Sequence, residues 1–249
     1  MLMETPDVET SSEEYARRFA GAVGEFFLRV QEKLCLELLR PWSGGRVLDV
    51  GGGHAQLAIP LAAASYDVTV FGSRPSCGER LTRLAARRSV RIAFVTGDLL
   101  NLPFRDGSFD VVVSLRLLSH VNRWRRLVRE LTRVARQAVL IDYPSLISVN
   151  LAVPVLFQWK KKVERNTRPF LCFTKGEVSD AFRQGGYHIS ATRAEFFLPM
   201  ALHRALDSVP FTERAERFFE SLGLTRLLGS PLLVRAEPGR RHPRRFKIL

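Results

Sequence analysis

The 249-residue chain has only three cysteines, Cys35, Cys77 and Cys172, and no C-x-x-C pair. That spacing gives neither a zinc site nor a disulfide framework, so no metal centre and a reducing, cytoplasmic setting are expected. No run of 18 apolar residues occurs, which leaves no candidate transmembrane helix. The first fourteen residues, Met1 to Glu14, are acidic and polar, unlike a signal peptide. Acid is also scarce overall, with 25 Asp and Glu against 38 Lys and Arg, a net charge of +13 and a pI near 10.6. Such a balance suits an anionic partner. Most of these bases are arginines scattered through helical stretches, however, and an Arg-rich composition accounts for them more simply. Hydrophobic residues make up 46%, enough for the core of one large domain or two small ones.

Against these absences, one stretch stands out. Val47-Leu48-Asp49-Val50 reads as a strand, runs into Gly51-Gly52-Gly53-His54, and is followed by an alanine-rich helical pattern. Glycines between a strand and a helix let the backbone turn sharply and leave room for a ligand. The following helix N-terminus offers free N–H groups to the same notch. A dinucleotide fingerprint needs a third glycine, and that position is Gln56.

Strands and helices then alternate. Expected strands lie at 46–50, 67–71, 90–95, 109–114, 137–142, 187–197 and 231–236, with helices at 55–64, 75–87, 122–135 and 175–185. The pattern argues for α/β architecture, a Rossmann-like, mostly parallel seven-stranded sheet with helices on both faces. An N-terminal helical extension is expected at 11–40, capped by Ser11 or Ser12 with Glu14 in its first turn and a break near Gly21 and Gly24. On helix 122–135 an apolar stripe of Trp124, Leu127, Val128, Leu131 and Val134 faces inward, and its arginines read mostly as a solvated face.

A second motif lies about fifty residues after the glycines: Gly97-Asp98-Leu99-Leu100-Asn101-Leu102-Pro103-Phe104-Arg105-Asp106-Gly107-Ser108-Phe109-Asp110-Val111-Val112-Val113-Ser114. With Asp49-Val50-Gly51-Gly52-Gly53, in that order and spacing, it resembles the class I S-adenosylmethionine-dependent methyltransferases. The resemblance covers about residues 44 to 190 and is closest to the subgroup that methylates small molecules such as quinone precursors. It implies S-adenosylmethionine as cofactor and a small acceptor, apolar or aromatic in view of the aromatic insertions. It also implies cofactor contacts from Asp49, Gly51, Gly52 and Gly53 to the amino-acid part, from Asp98 to the adenine amine, from the Leu99 N–H to a ring nitrogen, and from Ser114 beneath the methyl group. Asp110 is expected to be structural.

One departure matters. The family places an acid at the end of the second strand to hold the ribose, and this chain has Gly72, followed by Ser73 and Arg74. Ser73 can supply one hydrogen bond there, and an acid introduced at position 72 would be expected to tighten the site. A Ser-Arg pair would also suit a 2′-phosphate, but no tyrosine has a lysine four residues later, so the short-chain dehydrogenase pair is missing.

The catalytic residue is open. His120 lies where many relatives carry histidine and reads equally as base or as structural hydrogen-bonder. Tyr15 and Tyr143 are weaker candidates. The chain is read as a single domain: a helical cap at 1–42, a cofactor-binding core at 43–144, a substrate half with lid insertions at 145–236, and a basic tail at 237–249. The segment 146–162 joins an apolar run to Trp159 and Lys160-Lys161-Lys162, which suits a lid or a peripheral membrane contact. Two other functions compete. A nucleic-acid methyltransferase would be expected to carry an Asn/Asp-Pro-Pro-Tyr/Phe turn after the fourth strand, where this chain has Ser114-Leu115-Arg116-Leu117. A non-catalytic binding protein on the same fold draws support from Gly72. Oligomeric state is not legible.

Overall fold

A computed structural model describes residues 3–148 and 171–239. Its centre is a seven-stranded sheet in the order β3-β2-β1-β4-β5-β7-β6. The strands are β1 Arg46–Val50, β2 Asp67–Gly72, β3 Ala93–Thr96, β4 Phe109–Ser114, β5 Ala135–Tyr143, β6 Tyr187–Ala194 and β7 Leu232–Pro238. The first five pair in parallel, whereas β7 runs antiparallel to both β5 and β6. The chain winds outward from β1 to β3, then returns to lay β4 on the other side of β1. The carboxyl ends of β1 and β4 therefore flank the switch point, where a crevice opens in such sheets.

Side chains alternate across the sheet into two cores. Leu48, Val50 and Val112 point into one, with α6 (Trp124–Val134) and the helix Lys175–Gln184. Val47, Val68, Val70, Val111 and Val113 point into the other, with α3 (Gly21–Leu39), α4 (Ala58–Ala63) and α5 (Glu79–Arg88). A smaller cluster joins Val23 and Phe27 of α3 to Phe196. Among the described residues no helix is long and apolar enough to cross a membrane.

Several expectations are corrected. The N-terminal region is three helices, α1 Asp7–Thr10, α2 Glu13–Arg17 and α3, with the break at residues 18–20, where Ala20 is extended. That break turns Tyr15 and Phe19 inward, and both are buried. Ser12 is the cap of α2, accepting from the Tyr15 N–H. The helix expected at 55–64 starts only at Ala58, because Ala55 sits at φ +67° and stops the preceding turn. Strand β6 ends at Ala194 rather than 197, since Glu195 turns in to meet Gln31.

The arginines at 123–136 form a largely exposed face, as expected, with Arg125, Arg126, Arg129 and Arg136 open to solvent, but several also bond within the chain. Arg126 donates to the Leu100 carbonyl, Arg133 to the carbonyls of Leu102 and Phe104, and Arg136 pairs with Asp110. Asp110 also accepts the Arg46 N–H, the structural role expected of it. The insertion at 195–230 forms the helices Met200–Leu206, Val209–Ser221 and Leu224–Leu228. Of the segment 146–162, only Leu146, Ile147 and Ser148 lie within the described residues, and the first two are exposed. The membrane-contact reading concerns residues outside them, as does the end of the basic tail.

Candidate functional site

The notch is built by the turn after β1. Gly51 adopts φ +79°, open to glycine at little cost. Gly52 then passes so close over Asp49 that a Cβ there would lie 2.2 Å from its carboxylate carbon. A Cβ on Gly53 would lie 2.1 Å from the Cys77 carbonyl oxygen and 2.3 Å from Ser11 Oγ. All three glycines are therefore required by the geometry, and the loop folds round a buried carboxylate. Burial pushes the Asp49 carboxyl up to about 7, so the group is poised between charged and neutral and would gain from a cation beside it.

The walls of the notch are Thr10, Tyr15, Asp49, Gly51, Gly52, His54, Gln56, Leu57, Leu115 and Arg116. Arg116 is the least ordinary of them. It adopts φ +56°, where a non-glycine residue is held only by its surroundings. Asp142 Oδ1 accepts its backbone N–H at 2.5 Å, Gln31 Oε1 accepts from Nη2 at 2.8 Å, and the guanidinium lies 4.0 Å from the centre of the Phe19 ring. The remaining terminal nitrogen, Nη1, is buried without a partner. His54 is similar: its ring meets Tyr15 and Phe19 edge-on, and both nitrogens are buried and unpartnered. Burial, then the charges of Arg116 and Arg80, push its pKa down to about 3. It is a neutral hydrogen-bonder, too weakly basic to take protons near neutral pH. Gln56 Oε1 is buried and unpartnered as well.

Behind Arg116 lies a polar relay. Gln31 Nε2 bridges Asp142 Oδ2 at 3.1 Å and Glu195 Oε1 at 2.5 Å. Burial raises both carboxyls, and the Asp142 charge adds to the rise at Glu195. This relay fixes the position of Arg116.

An N-terminal strap crosses the carboxyl ends of the strands. Glu4 accepts the backbone N–H groups of Asn122 and Arg123 and pairs with the Arg123 side chain at 2.7 Å. Asp7 Oδ2 accepts the Ser73 N–H at 2.6 Å, and Glu13 pairs with Arg80 and Arg83. With the strap in place the notch holds about 20 Å³, room for a water molecule. A nucleoside-sized ligand enters only when Thr10 and Tyr15 shift.

Asp49, Gly51 and Gly52 line the notch, and Gly53 and Ser73 sit beside it under the strap. The other expected site residues do not line it. Ser114 Oγ donates to the Val50 carbonyl and ties β4 to β1. Asp98 is half-buried and turns its carboxylate onto the Leu100 N–H, while Leu99 is packed in the core. His120 closes a short turn, Leu118–His120, away from the lining. Tyr143 packs against Phe173. At Gly72 a Cβ would lie 2.9 Å from Cys77 Cβ and 3.0 Å from Phe94 Cζ, so the glycine is demanded by packing and an acid there does not fit without movement. His54, Gln56, Arg116 and Asp7 were not singled out by sequence. His54 and Gln56 carried a signal, adjoining the glycines, whereas Arg116 and Asp7 are brought in from distant segments.

A family profile described as a methyltransferase domain matches residues 47–138. The chain is 38% identical over 101 residues to 27-O-demethylrifamycin SV methyltransferase of Amycolatopsis mediterranei, covering 38% of this chain and 36% of that protein. It is 37% identical over 102 residues to demethylmenaquinone methyltransferase of a Roseiflexus species, covering 40% and 42%. Norajmaline N-methyltransferase of Rauvolfia serpentina is 29% identical over 103 residues, covering 41% of this chain and 35% of that protein. The matched stretch thus spans well under half the length of these relatives. Among solved structures, magnesium protoporphyrin IX methyltransferase of Synechocystis with bound S-adenosylhomocysteine superposes with a TM-score of 0.64 at 18% identity, covering 92% and 96% of the two chains. The cyclase SpnF superposes with a TM-score of 0.60 at 18% identity, covering 84% and 79%, so the shared fold does not by itself fix the chemistry. Residues 47–138 thus match a methyltransferase domain, and they sit in a seven-stranded sheet whose fold is shared with solved methyltransferases.

Proposed function

We propose that the protein transfers a methyl group from S-adenosylmethionine to a small molecule. The observation that carries this reading is the glycine loop wrapped round the buried Asp49 carboxylate at the switch point of the sheet. The residues fit the amino-acid end of such a cofactor. Asp49 would face the ammonium group, and the buried, unpartnered Nη1 of Arg116 would face the carboxylate. Asp98 and Leu99, at the end of β3, are proposed for the adenine.

The cofactor supplies an activated methyl group, so the protein's task is to hold donor and acceptor in line and exclude water. Tyr15 and Phe19 at the mouth suit that exclusion, and the aromatic cluster of Phe26, Phe27 and Phe196 lies behind them. These rings, and the small molecules in the names of the relatives, support an apolar or aromatic acceptor. His120 is the candidate base where the acceptor must lose a proton. Arg126 and Arg133 of α6 and Arg136 at the start of β5 lend little to a nucleic-acid substrate, because they are engaged within the chain.

Calorimetric titration with S-adenosylmethionine and S-adenosylhomocysteine tests the reading. Binding of both, with methyl transfer to an aromatic acceptor detected by mass, supports it. Binding without transfer to any of a panel of small acceptors would point to a non-catalytic protein. Absence of binding would sink the reading.

A further inference from the structure

The strap does more than cover the notch. Asp7 is fully buried: Oδ2 accepts the Ser73 N–H at 2.6 Å, the Cys77 thiol lies against the carboxylate, and Oδ1 is buried without a hydrogen-bond partner among the described residues. Two hydroxyls beside it are in the same condition. Ser73 Oγ and Ser11 Oγ are buried and unpartnered, and Ser11 presses on Gly53 at the edge of the notch. A buried polar atom left without a partner costs stability, because it gives up its hydrogen bonds to water and gains none. The Cys77 thiol lies against Asp7 and Ser73, yet Asp7 Oδ1, Ser73 Oγ and Ser11 Oγ, gathered where the strap meets the β1 and β2 ends, keep hydrogen-bonding capacity that the chain does not use. The acceptor oxygen and the two hydroxyls form a set that recognises a pair of neighbouring hydroxyl groups. No side chain can come from β2 itself, because packing of Cys77 and Phe94 requires glycine at position 72.

We infer that Asp7, carried by the N-terminal strap, is the carboxylate that grips the vicinal hydroxyls of the cofactor's sugar, with Ser73 and Ser11 beside it. The inference rests on the cofactor reading above. It assigns a binding role to a segment outside the methyltransferase domain at 47–138. It also makes closure of the strap part of cofactor binding, since the acid reaches β2 only when the strap lies across the strand ends. Glu4 and Glu13 pin the strap on either side of Asp7.

The test compares S-adenosylhomocysteine with its 2′,3′-dideoxy analogue by calorimetry, on the full chain and on Asp7→Asn. The asparagine keeps an oxygen for the Ser73 N–H and replaces the second acceptor with a donor. The wild type should prefer the hydroxylated ligand by roughly tenfold or more, as expected for a charge-assisted hydrogen bond. Asp7→Asn should lose most of that preference through weaker binding of the hydroxylated ligand, with the dideoxy affinity unchanged. Ser73→Ala keeps the backbone anchor and should lose a smaller part, and it decides the matter if Asp7→Asn melts below the assay temperature. Retention of the full preference in these variants would overturn the assignment. So would tighter binding by Asp7→Asn, which would make Asp7 a plug. A wild type that binds both ligands equally overturns the assignment alone. A wild type that binds neither overturns the cofactor reading and the assignment together.

Discussion

Two half-buried arginines show how differently this chain uses the same side chain. Arg133, on α6, has all three guanidinium nitrogens engaged. Nε and Nη2 meet the Glu130 carboxylate at 3.0 and 2.8 Å, Nη1 reaches the Phe104 carbonyl and Asp106, and Nη2 also reaches the Leu102 carbonyl. Glu130 in turn accepts the Leu102 N–H. The region is a closed hydrogen-bonded staple that clamps the 98–106 loop onto the helix. Arg116, at the notch, is held as firmly by Asp142, Gln31 and Phe19, yet keeps Nη1 buried and unpartnered, and His54 and Gln56, which line the same notch, have open atoms too. A fold stabilised only for its own sake satisfies its buried polar groups. The staple closes on itself, whereas the notch leaves buried polar atoms of Arg116, His54 and Gln56 without a partner among the described residues.

The largest expected effect comes from closing the notch from within. Gly53→Ala places a methyl group against the Cys77 backbone oxygen and Ser11, which cannot both yield without moving the loop. A loss of about 3 kcal/mol in urea denaturation is expected, the upper range for overpacking, together with loss of S-adenosylhomocysteine binding. A protein that melts and binds like the wild type would show that the loop is loose and the comparison misplaced.

Breaking the staple comes next. Arg133→Met should cost about 2 kcal/mol of stability, the scale of charge-assisted hydrogen bonds lost at a partly buried site, and leave cofactor affinity unchanged. Arg116→Lys should do the reverse. It keeps the positive charge near Asp142 and Glu195 but loses the planar fork, so stability should change by less than about 1 kcal/mol while affinity falls about tenfold. If both arginines affect stability and binding alike, the distinction between staple and notch fails.

The smallest effect is electrostatic. The Asp49 carboxyl is raised from 3.8 to about 7 in the fold, so the folded state binds the extra proton between those values. Stability contributed there is present at low pH and lost as pH rises through 7. His54 acts in the opposite sense: lowered from 6.5 to about 3, it costs stability as pH falls through that window. The difference in melting temperature between wild type and Asp49→Asn isolates the first term. The variant should gain on the wild type as pH rises from 4 to 8. A difference independent of pH would mean that the Asp49 proton is not in play. Affinity for the ammonium-bearing cofactor should rise with pH in the wild type and stay flat in the variant.

The sequence by itself determined the strand-to-glycine turn at 47–53, the alternation of strands and helices, and the second motif at 97–114, because each is written in consecutive residues whose period and turn chemistry act locally. It also marked Asp49 and its glycines, since a ligand-sized notch at a strand end needs residues adjacent in the chain. Only the tertiary structure decided which polar groups are satisfied. Asp7 meets Ser73 across 66 residues, Arg116 meets Gln31 across 85, and Gln31 meets Asp142 across 111. No local pattern encodes such pairs. For the same reason Arg133 and Arg116 read alike in the chain, and Gly72 read as a missing acid. A side chain's worth is set by what the fold brings against it, here two carbonyls and two carboxylates around one arginine and an open notch beside the other.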